Sequence, residues 1–449
     1  MSLVRRLKLL KGKEKHSFHY PGHKNRLEEL GFSRYDVLDT TETFGTDNLL
    51  DPKGILKNSM EKTAKIFGTN YSFYGVGGST MSLYAALFAA TSRGDKILVQ
   101  RNVHKSVFQG MAILGLQPDY LPSKFQEEDI KEVEEKLKSG DYKVALLVSP
   151  DYYGFLLPLD RLISLFHKYN ILVIVDEAHG GHLIFSEELC SYSALKNKAD
   201  LVIHSVHKTL PGLTGTSLLH VNSNRLDYHS VLKGVRYFTT TSPSYPLLSS
   251  IEESVDYMNE IGREDMGRLL DGITSFWELV KPGGIYPIYE EEAYDRTKVY
   301  VKVPGMKGSD LYYRLYERYG LAMEFFDTEG VLAVCTFADE KEDLNRLAAA
   351  LNNIGSTMEH FKGSSLPPMP LPRVVATLSE TLMAKKVKIP LGEAVGHVAA
   401  ESITPYPPGI PLIVGGEEFS TEIVEIVIQL LKDELVIQGI DNGYVEVLE

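Results

Sequence analysis

Between roughly residues 60 and 220 the sequence alternates short, unbroken apolar runs with amphipathic segments, and few folds accommodate that rhythm. Lys96-Ile-Leu-Val-Gln100, Val144-Ala-Leu-Leu-Val-Ser149, Ile171-Leu-Val-Ile-Val175 and Leu201-Val-Ile203 have the continuous hydrophobicity of strands buried on both faces. Between them, Glu127 to Leu137 places Ile130, Val133 and Leu137 on one helical stripe, with its many charges on the solvated side. Such alternation predicts an α/β architecture, a mostly parallel sheet with helices on both faces. After about residue 290 the pattern changes. Lys298-Val-Tyr-Val-Lys302 alternates like a half-exposed strand, Leu311 to Tyr319 is helical, and Gly330-Val-Leu-Ala-Val-Cys335 is strand-like. That succession predicts a smaller α+β domain. Phe361 to Pro372, rich in Pro, Gly and Ser, reads as a linker. The expected division is 1–290 for an N-terminal segment and large domain, 291–360 for the small domain, 361–372 for the linker and 373–449 for a C-terminal segment.

A chain of 449 residues with 43% apolar content has ample material for a large core. Its net charge of −13 argues against nucleic acid as a partner, because phosphate binding needs basic patches, and suits a cationic small substrate. Cys190 and Cys335 are the only cysteines, which points to a reducing cytoplasm rather than a disulfide framework. The N-terminus does not read as a signal peptide, and no apolar run approaches the ~18 residues of a membrane span.

In open parallel sheets ligands gather beyond the carboxyl ends of the strands. Four loaded segments fall at such ends or on the loops beside them. Leu201-Val-Ile-His-Ser-Val-His-Lys208 delivers a lysine straight from a buried strand, where desolvation lowers its pKa and makes it a Schiff-base nucleophile. Ser205 and His207 beside it can donate to a phosphate, and the group suggests an anchor for pyridoxal 5'-phosphate (PLP). Asp176, after Ile171 to Val175, can keep a pyridine nitrogen protonated; a helix-capping or metal role, with His179 and His182, is the competing reading. Phe73-Tyr-Gly-Val-Gly-Gly-Ser-Thr80 opens a helix whose free N–H groups, with Ser79 and Thr80, suit an anion. It is neither a Walker A loop nor a Gly-x-Gly-x-x-Gly fingerprint. His104, in Arg101-Asn-Val-His-Lys-Ser106, can stack on a flat aromatic cofactor or serve as an ordinary loop histidine.

Taken in order, these segments give the chain a close resemblance to the Orn/Lys/Arg decarboxylases, PLP enzymes of fold type I. The motifs that carry it are Phe18-His-Tyr-Pro-Gly-His-Lys24, Asp39-Thr-Thr-Glu42, Asp47-Asn-Leu-Leu-Asp-Pro52, Gly78-Ser-Thr80, Arg101 to Ser106, Asp176-Glu-Ala-His-Gly180, Ser205-Val-His-Lys208, Thr241-Ser-Pro-Ser-Tyr-Pro246 and Tyr406-Pro-Pro-Gly-Ile-Pro411. The resemblance implies an aminotransferase-like fold type I domain with a smaller α+β C-terminal domain. It implies that Lys208 carries the cofactor, Asp176 pairs with its ring nitrogen, and His104 stacks on the ring. Ser79, Thr80, Ser205 and His207 would hold the phosphate, and His179 would lie near the reacting carbon. Thr241 or Ser242 would reach the phosphate of a partner subunit, since family members share sites across a dimer. A homodimer or dimer of dimers, in a short form without the N-terminal wing domain, follows by the same comparison. The chain departs from the family at Gly77, Leu50, Gly215 and Gly415.

The expected reaction is decarboxylation of arginine, lysine or ornithine to the amine, in polyamine or amino-acid metabolism. The cationic side chain needs carboxylates at the far end of the pocket, for which Glu42, Asp47 and Asp151 are candidates. A metal is not expected; Pro21-Gly22 breaks any helix that would align His16, His19 and His23. The alternatives are another fold type I activity, such as an aminotransferase, and a non-catalytic relative.

Overall fold

The computed structural model describes residues 16–18, 47–280, 286–287, 293–355 and 371–449. The segments Asp39–Glu42 and His19–Lys24, and the predicted linker up to residue 370, lie outside these residues.

A short strand β1 (His16–Phe18) precedes the strands of a seven-stranded sheet. These are β2 (Tyr71–Gly75), β3 (Lys96–Gln100), β4 (Gln117–Leu121), β5 (Tyr142–Val148), β6 (Leu172–Asp176), β7 (Leu201–Ser205) and β8 (Ser217–Val221). Their order is β2-β8-β7-β6-β5-β3-β4, with β3 to β7 mutually parallel and β8 antiparallel to both its neighbours. Helices α1 (Ile55–Phe67), α2 (Gly78–Ala90), α3 (Lys105–Leu114), α4 (Glu127–Ser139) and α5 (Leu159–Lys168) connect or flank the strands.

The four predicted strands are present, and their unbroken hydrophobicity has the anticipated cause. Ile97, Val99, Val144, Leu146, Ile174, Leu201 and Ile203 pack on Leu83, Leu87, Val107 and Met111 of α2 and α3. Their neighbours Leu98, Ala145, Leu147, Val173, Val175 and Val202 turn the other way, onto Leu162 and Phe166 of α5 and the helices 245–260 and 262–280. Each such side chain contributes roughly 1.5–3 kcal/mol on burial, so both faces must be covered. The edge strand β4 alone is only half-buried; Asp119 accepts from Tyr142 and Lys136 there.

The second sheet is built from β9 (Tyr286–Pro287), β10 (Lys298–Lys302), β12 (Phe325–Phe326) and β13 (Val331–Val334), in the order β12-β13-β10-β9, while β11 (Leu321–Met323) pairs with β1. Strand β10 corrects one expectation. It was read as half-exposed, yet Lys298 to Val301 are buried. It lies between β13 and β9, with Val299 and Val301 facing the main core and Tyr300 packed in a cluster with Phe325, Leu332 and Val334. The predicted helix at Leu311–Tyr319 is an α-helix from Gly308 to Arg314 that widens into a π-turn over Leu315–Tyr319.

Residues 371–449 form their own core around the helix Thr421–Lys432 and the antiparallel strands Lys386–Pro390 and Tyr444–Leu448. This unit docks on the strand-end side of the large sheet. Arg101, just past β3, donates to the carbonyls of Pro411 (3.0 Å) and Leu412 (3.3 Å) and to Glu417 (3.1 Å), and the Ser379 hydroxyl donates to the Ala112 carbonyl.

Candidate active site

Because β3, β5, β6 and β7 run parallel and in register, their carboxyl ends share one edge of the sheet; Val148 faces Asp176, and Asp176 faces Ile203. The loops leaving these ends enclose a cleft of about 500 Å³. It is lined by Ser79, Thr80, His104, Asp176, His179, Ser205, His207 and Lys208 among others, so eight predicted residues meet there. Thr241 and Ser242 do not join them: both are exposed in the bend before the helix Tyr245–Glu260.

Lys208 sits in a single helical turn, Val206–Thr209, continuing directly from β7. Its Nζ lies 2.8 Å from His179 Nε2. Burial lowers its pKa, with Asp176 and Glu324 pulling the other way. Asp176 is 7% exposed, and Oδ1 accepts the Ala178 N–H at 3.1 Å. Burial raises its pKa against the opposing pull of Lys208. His179 stands edge-on to Tyr152, centroids 4.9 Å apart, and burial with the Lys208 charge holds its pKa well below the ordinary histidine value.

His104 caps α3: its Nδ1 accepts the Ser106 N–H at 3.2 Å. Nδ1 is thus an acceptor and the ring proton sits on Nε2. Burial, then Lys208, lowers this pKa to about 4, so the imidazole is neutral at pH 7. Over it runs the C-terminal segment. Gly409 has φ +84°, and a Cβ there would stand 2.7 Å from His104 Cδ2, so this approach needs glycine. The Lys105 N–H donates to the Gly409 carbonyl (2.8 Å), tying the two segments together.

At the other end of the cleft, Gly78 turns the chain into α2 with φ +69°, and its N–H donates to the Gly215 carbonyl (2.7 Å). The Ser79 and Ser205 hydroxyls are in direct contact. His207 donates from Nδ1 to the Thr216 carbonyl at 3.0 Å. An anion at the α2 terminus would therefore find hydroxyls and backbone N–H groups, and the same cleft offers a pyridine ring a buried carboxylate, a neutral imidazole and a lysine. The donor set fits PLP in each part.

Three features reposition the remaining candidates. Asp47 accepts backbone N–H groups from Asn48, Lys53, Gly54, Leu56 and Lys57, so it is committed to the α1 terminus. Asp151 accepts from Tyr153, Gly154 and Phe155 and lines a separate cavity with Lys124 and Phe155; burial pushes its carboxyl up to about 6. Glu42 lies outside the described residues. Besides Asp176, the cleft is lined by the carboxylate of Glu324, between β11 and β12, held by the Tyr152 hydroxyl at 2.5 Å. Its signal was a lone acid inside the apolar run Leu321-Ala-Met-Glu-Phe-Phe326. Tyr406, Pro407, Pro408 and Ile410 complete the wall. His182, offered as a metal ligand with Asp176 and His179, points to Asp295 (3.2 Å); among the described residues no cluster of three or more His, Cys, Asp or Glu could hold a metal.

Residues 3–307 match the family profile described as Orn/Lys/Arg decarboxylase, major domain, and residues 366–435 match the C-terminal domain of the same decarboxylases. An arginine decarboxylase of Bacillus anthracis is 30% identical over 96% of this chain and 93% of its own length. An arginine decarboxylase of Bacillus subtilis is 30% identical over 95% and 92%. Among solved structures, lysine decarboxylase A from Pseudomonas aeruginosa superposes with a TM-score of 0.77 at 18% identity, covering 100% of this chain and 82% of that one. A serine palmitoyltransferase of Sphingomonas wittichii gives 0.61 at 14% identity, over 79% of this chain and 96% of that one, so the fold is that of the fold type I PLP enzymes.

Proposed function

The chain belongs to the Orn/Lys/Arg decarboxylase family, a PLP-dependent decarboxylase of basic L-amino acids, and we propose that its substrate is arginine and its product agmatine. The observation that carries this reading is Glu324, a carboxylate facing the lysine-bearing cleft from the small sheet, where a guanidinium or ammonium would need one. The arginine decarboxylases above, similar over nearly their full lengths, favour the guanidinium.

PLP supplies the electron sink that makes loss of the Cα carboxylate feasible. Ser79, Thr80, Ser205 and the α2 N-terminus would hold its phosphate, with His207 beside them, its Nδ1 bonded to the Thr216 carbonyl. Asp176 would pair with the ring nitrogen and keep it protonated. His104, neutral, would stack on the ring without competing for that charge. Glu324, held by the Tyr152 hydroxyl, would pair with the cationic end of the substrate side chain and so orient the bound substrate for loss of its Cα carboxylate. The Cα–carboxylate bond breaks, carbon dioxide leaves, and one proton takes its place at Cα. Lys208 Nζ would donate that proton to Cα, with His179 Nε2, 2.8 Å away, relaying its replacement to Nζ. The Tyr406–Ile410 wall limits water, which would otherwise compete for protonation.

A homodimer completes this reading: exposed Thr241 and Ser242 would serve the phosphate site of the partner subunit. A cytoplasmic location would accord with a chain whose only cysteines, Cys190 and Cys335, form no disulfide framework.

The test is turnover of arginine, lysine and ornithine by PLP-loaded protein, with products identified by mass spectrometry. Agmatine and carbon dioxide in equal amounts are expected, and Lys208→Ala should abolish both. Faster turnover of lysine or ornithine refutes the choice of arginine; amino-group exchange with a keto acid refutes decarboxylation.

A further inference from the structure

Behind His179, on the side away from the cleft, the small sheet inserts a complete ion pair into the protein interior. Lys298, the first residue of β10, and Asp295 both have side chains that are 0% exposed, with Nζ 3.0 Å from Asp295 Oδ2. The ammonium also donates to Thr297 Oγ1 (3.3 Å) and to the main-chain carbonyl of His179 (3.5 Å). Asp295 is fixed in turn by the Thr297 N–H (3.1 Å), the Thr297 hydroxyl (2.7 Å) and His182 Nε2 (3.2 Å). The Asp295 N–H donates to the Gly154 carbonyl (2.8 Å), so the turn also grips the loop that carries Tyr152. Two desolvated charges cost several kcal/mol each before their attraction is counted, and apolar residues of similar volume often do as well.

We infer that Lys298 is a positioning residue for the decarboxylase site: locked by Asp295, its ammonium holds the His179 main chain, aims the imidazole at Lys208 and sets a cation behind both. The inference rests on Lys208 being the cofactor lysine. The charged groups bearing on the pair come from every side. Lys208 feels Asp176 from β6, Glu324 from the small sheet and Lys298 from β10; His179 feels Lys208, Lys298, His104 and Asp295. Lys298 disfavours protonation of both, and Asp295 opposes it at His179, so the two members act with opposite sign. Structural damage alone has no reason to produce opposite signs.

The experiment is a pH titration of the visible absorbance of the lysine-bound cofactor in Lys298→Met, Asp295→Asn and Lys298→Arg holoenzymes, with kcat and KM measured alongside. Removing the cation should raise the titration midpoint by roughly half to one pH unit, and removing the anion, whose charge bears on His179 rather than directly on Lys208, should lower it by less. Lys298→Arg, which keeps the charge, should stay near the wild-type midpoint. Lys298→Met should also lose about 10–100-fold in kcat with KM nearly unchanged, because a misaimed imidazole affects proton transfer rather than binding. Should Lys298→Met not fold, Asp295→Asn and Lys298→Arg carry the test. Midpoints within ~0.2 unit of wild type in both neutralising variants, or shifts in the same direction, overturn the inference. The titration needs the cofactor and Lys208 but no substrate, so a chain that failed to decarboxylate arginine would still report on Lys298.

Discussion

Glu324→Gln isolates the step on which substrate choice depends. The change keeps shape and the Tyr152 contact, which the amide oxygen still accepts, and removes only charge. A unit charge pair at ~4 Å is worth about 4 kcal/mol at an effective dielectric of 20, and hydrogen bonds to charged groups contribute roughly 1.5–3 kcal/mol net. Glu324 is only partly buried, so solvent screening favours the lower end, near 2–3 kcal/mol. That is roughly a 30–150-fold loss in kcat/KM for arginine. The control is citrulline, which replaces the guanidinium with a neutral ureido group and should react equally poorly with both proteins. Cofactor absorbance should be retained, since Glu324 holds no part of the phosphate or ring. A loss below about threefold for arginine, or an equal loss for citrulline, would show that Glu324 does not read the side-chain charge.

Three further outcomes follow from the same geometry. Arg101→Met leaves Glu417 buried without its cation and should cost about 3–5 kcal/mol in denaturant unfolding, part of it recovered by adding Glu417→Gln; a cost below ~1 kcal/mol contradicts the docking role. Gly409→Ala combines a positive φ with a Cβ 2.7 Å from His104, and its strain of about 1–3 kcal/mol should appear as weaker PLP binding by equilibrium dialysis; unchanged affinity refutes the contact. His104, His179 and His220 all have pKa values pulled below 6.5 by burial, His104 to about 4. Below pH 6.5 the unfolded chain takes up protons that the folded chain refuses, so stability falls with falling pH, by at most about 4 kcal/mol per unit for the three. Urea midpoints at pH 7, 6 and 5 should drop accordingly, and a flat profile would contradict neutral buried histidines.

The large sheet and the cofactor end of the site were legible because both follow from local pattern. A strand buried on two faces must be apolar throughout, and a parallel sheet must bring its carboxyl ends together, so Asp176 and Lys208 could be placed on one edge without coordinates. Strand β4 escaped notice because Gln117-Pro-Asp-Tyr-Leu121 lies at an edge and keeps polar residues. Lys298 misled the reading of β10: a lysine at a strand start normally signals solvent, and only the partner Asp295, three residues earlier, permits burial. Asp47 and Asp151 drew attention as acids near motifs, but each accepts several backbone N–H groups, a use that composition does not reveal.

Glu324 shows where sequence reasoning reaches its limit. The chemistry of the cofactor depends on groups that one sheet supplies from consecutive strands, and their spacing is written into the alternation. The carboxylate proposed to meet the substrate side chain lies beside a strand of a different sheet, 116 positions after Lys208, and its approach depends on how the two sheets pack. Tyr152 is the physical link: it rises from the loop after β5, meets His179 with its ring and Glu324 with its hydroxyl, and so would couple the proposed proton-transfer pair to the proposed specificity carboxylate. Substrate preference should therefore be adjustable in the short run around Glu324 without disturbing PLP binding, whereas changes at Tyr152 should affect both. In kinetic terms, Glu324 variants should alter the ratio of kcat/KM between arginine and lysine, and Tyr152→Phe should lower kcat for either substrate. Tyr152→Phe variants that change only that ratio would show that the two functions are uncoupled.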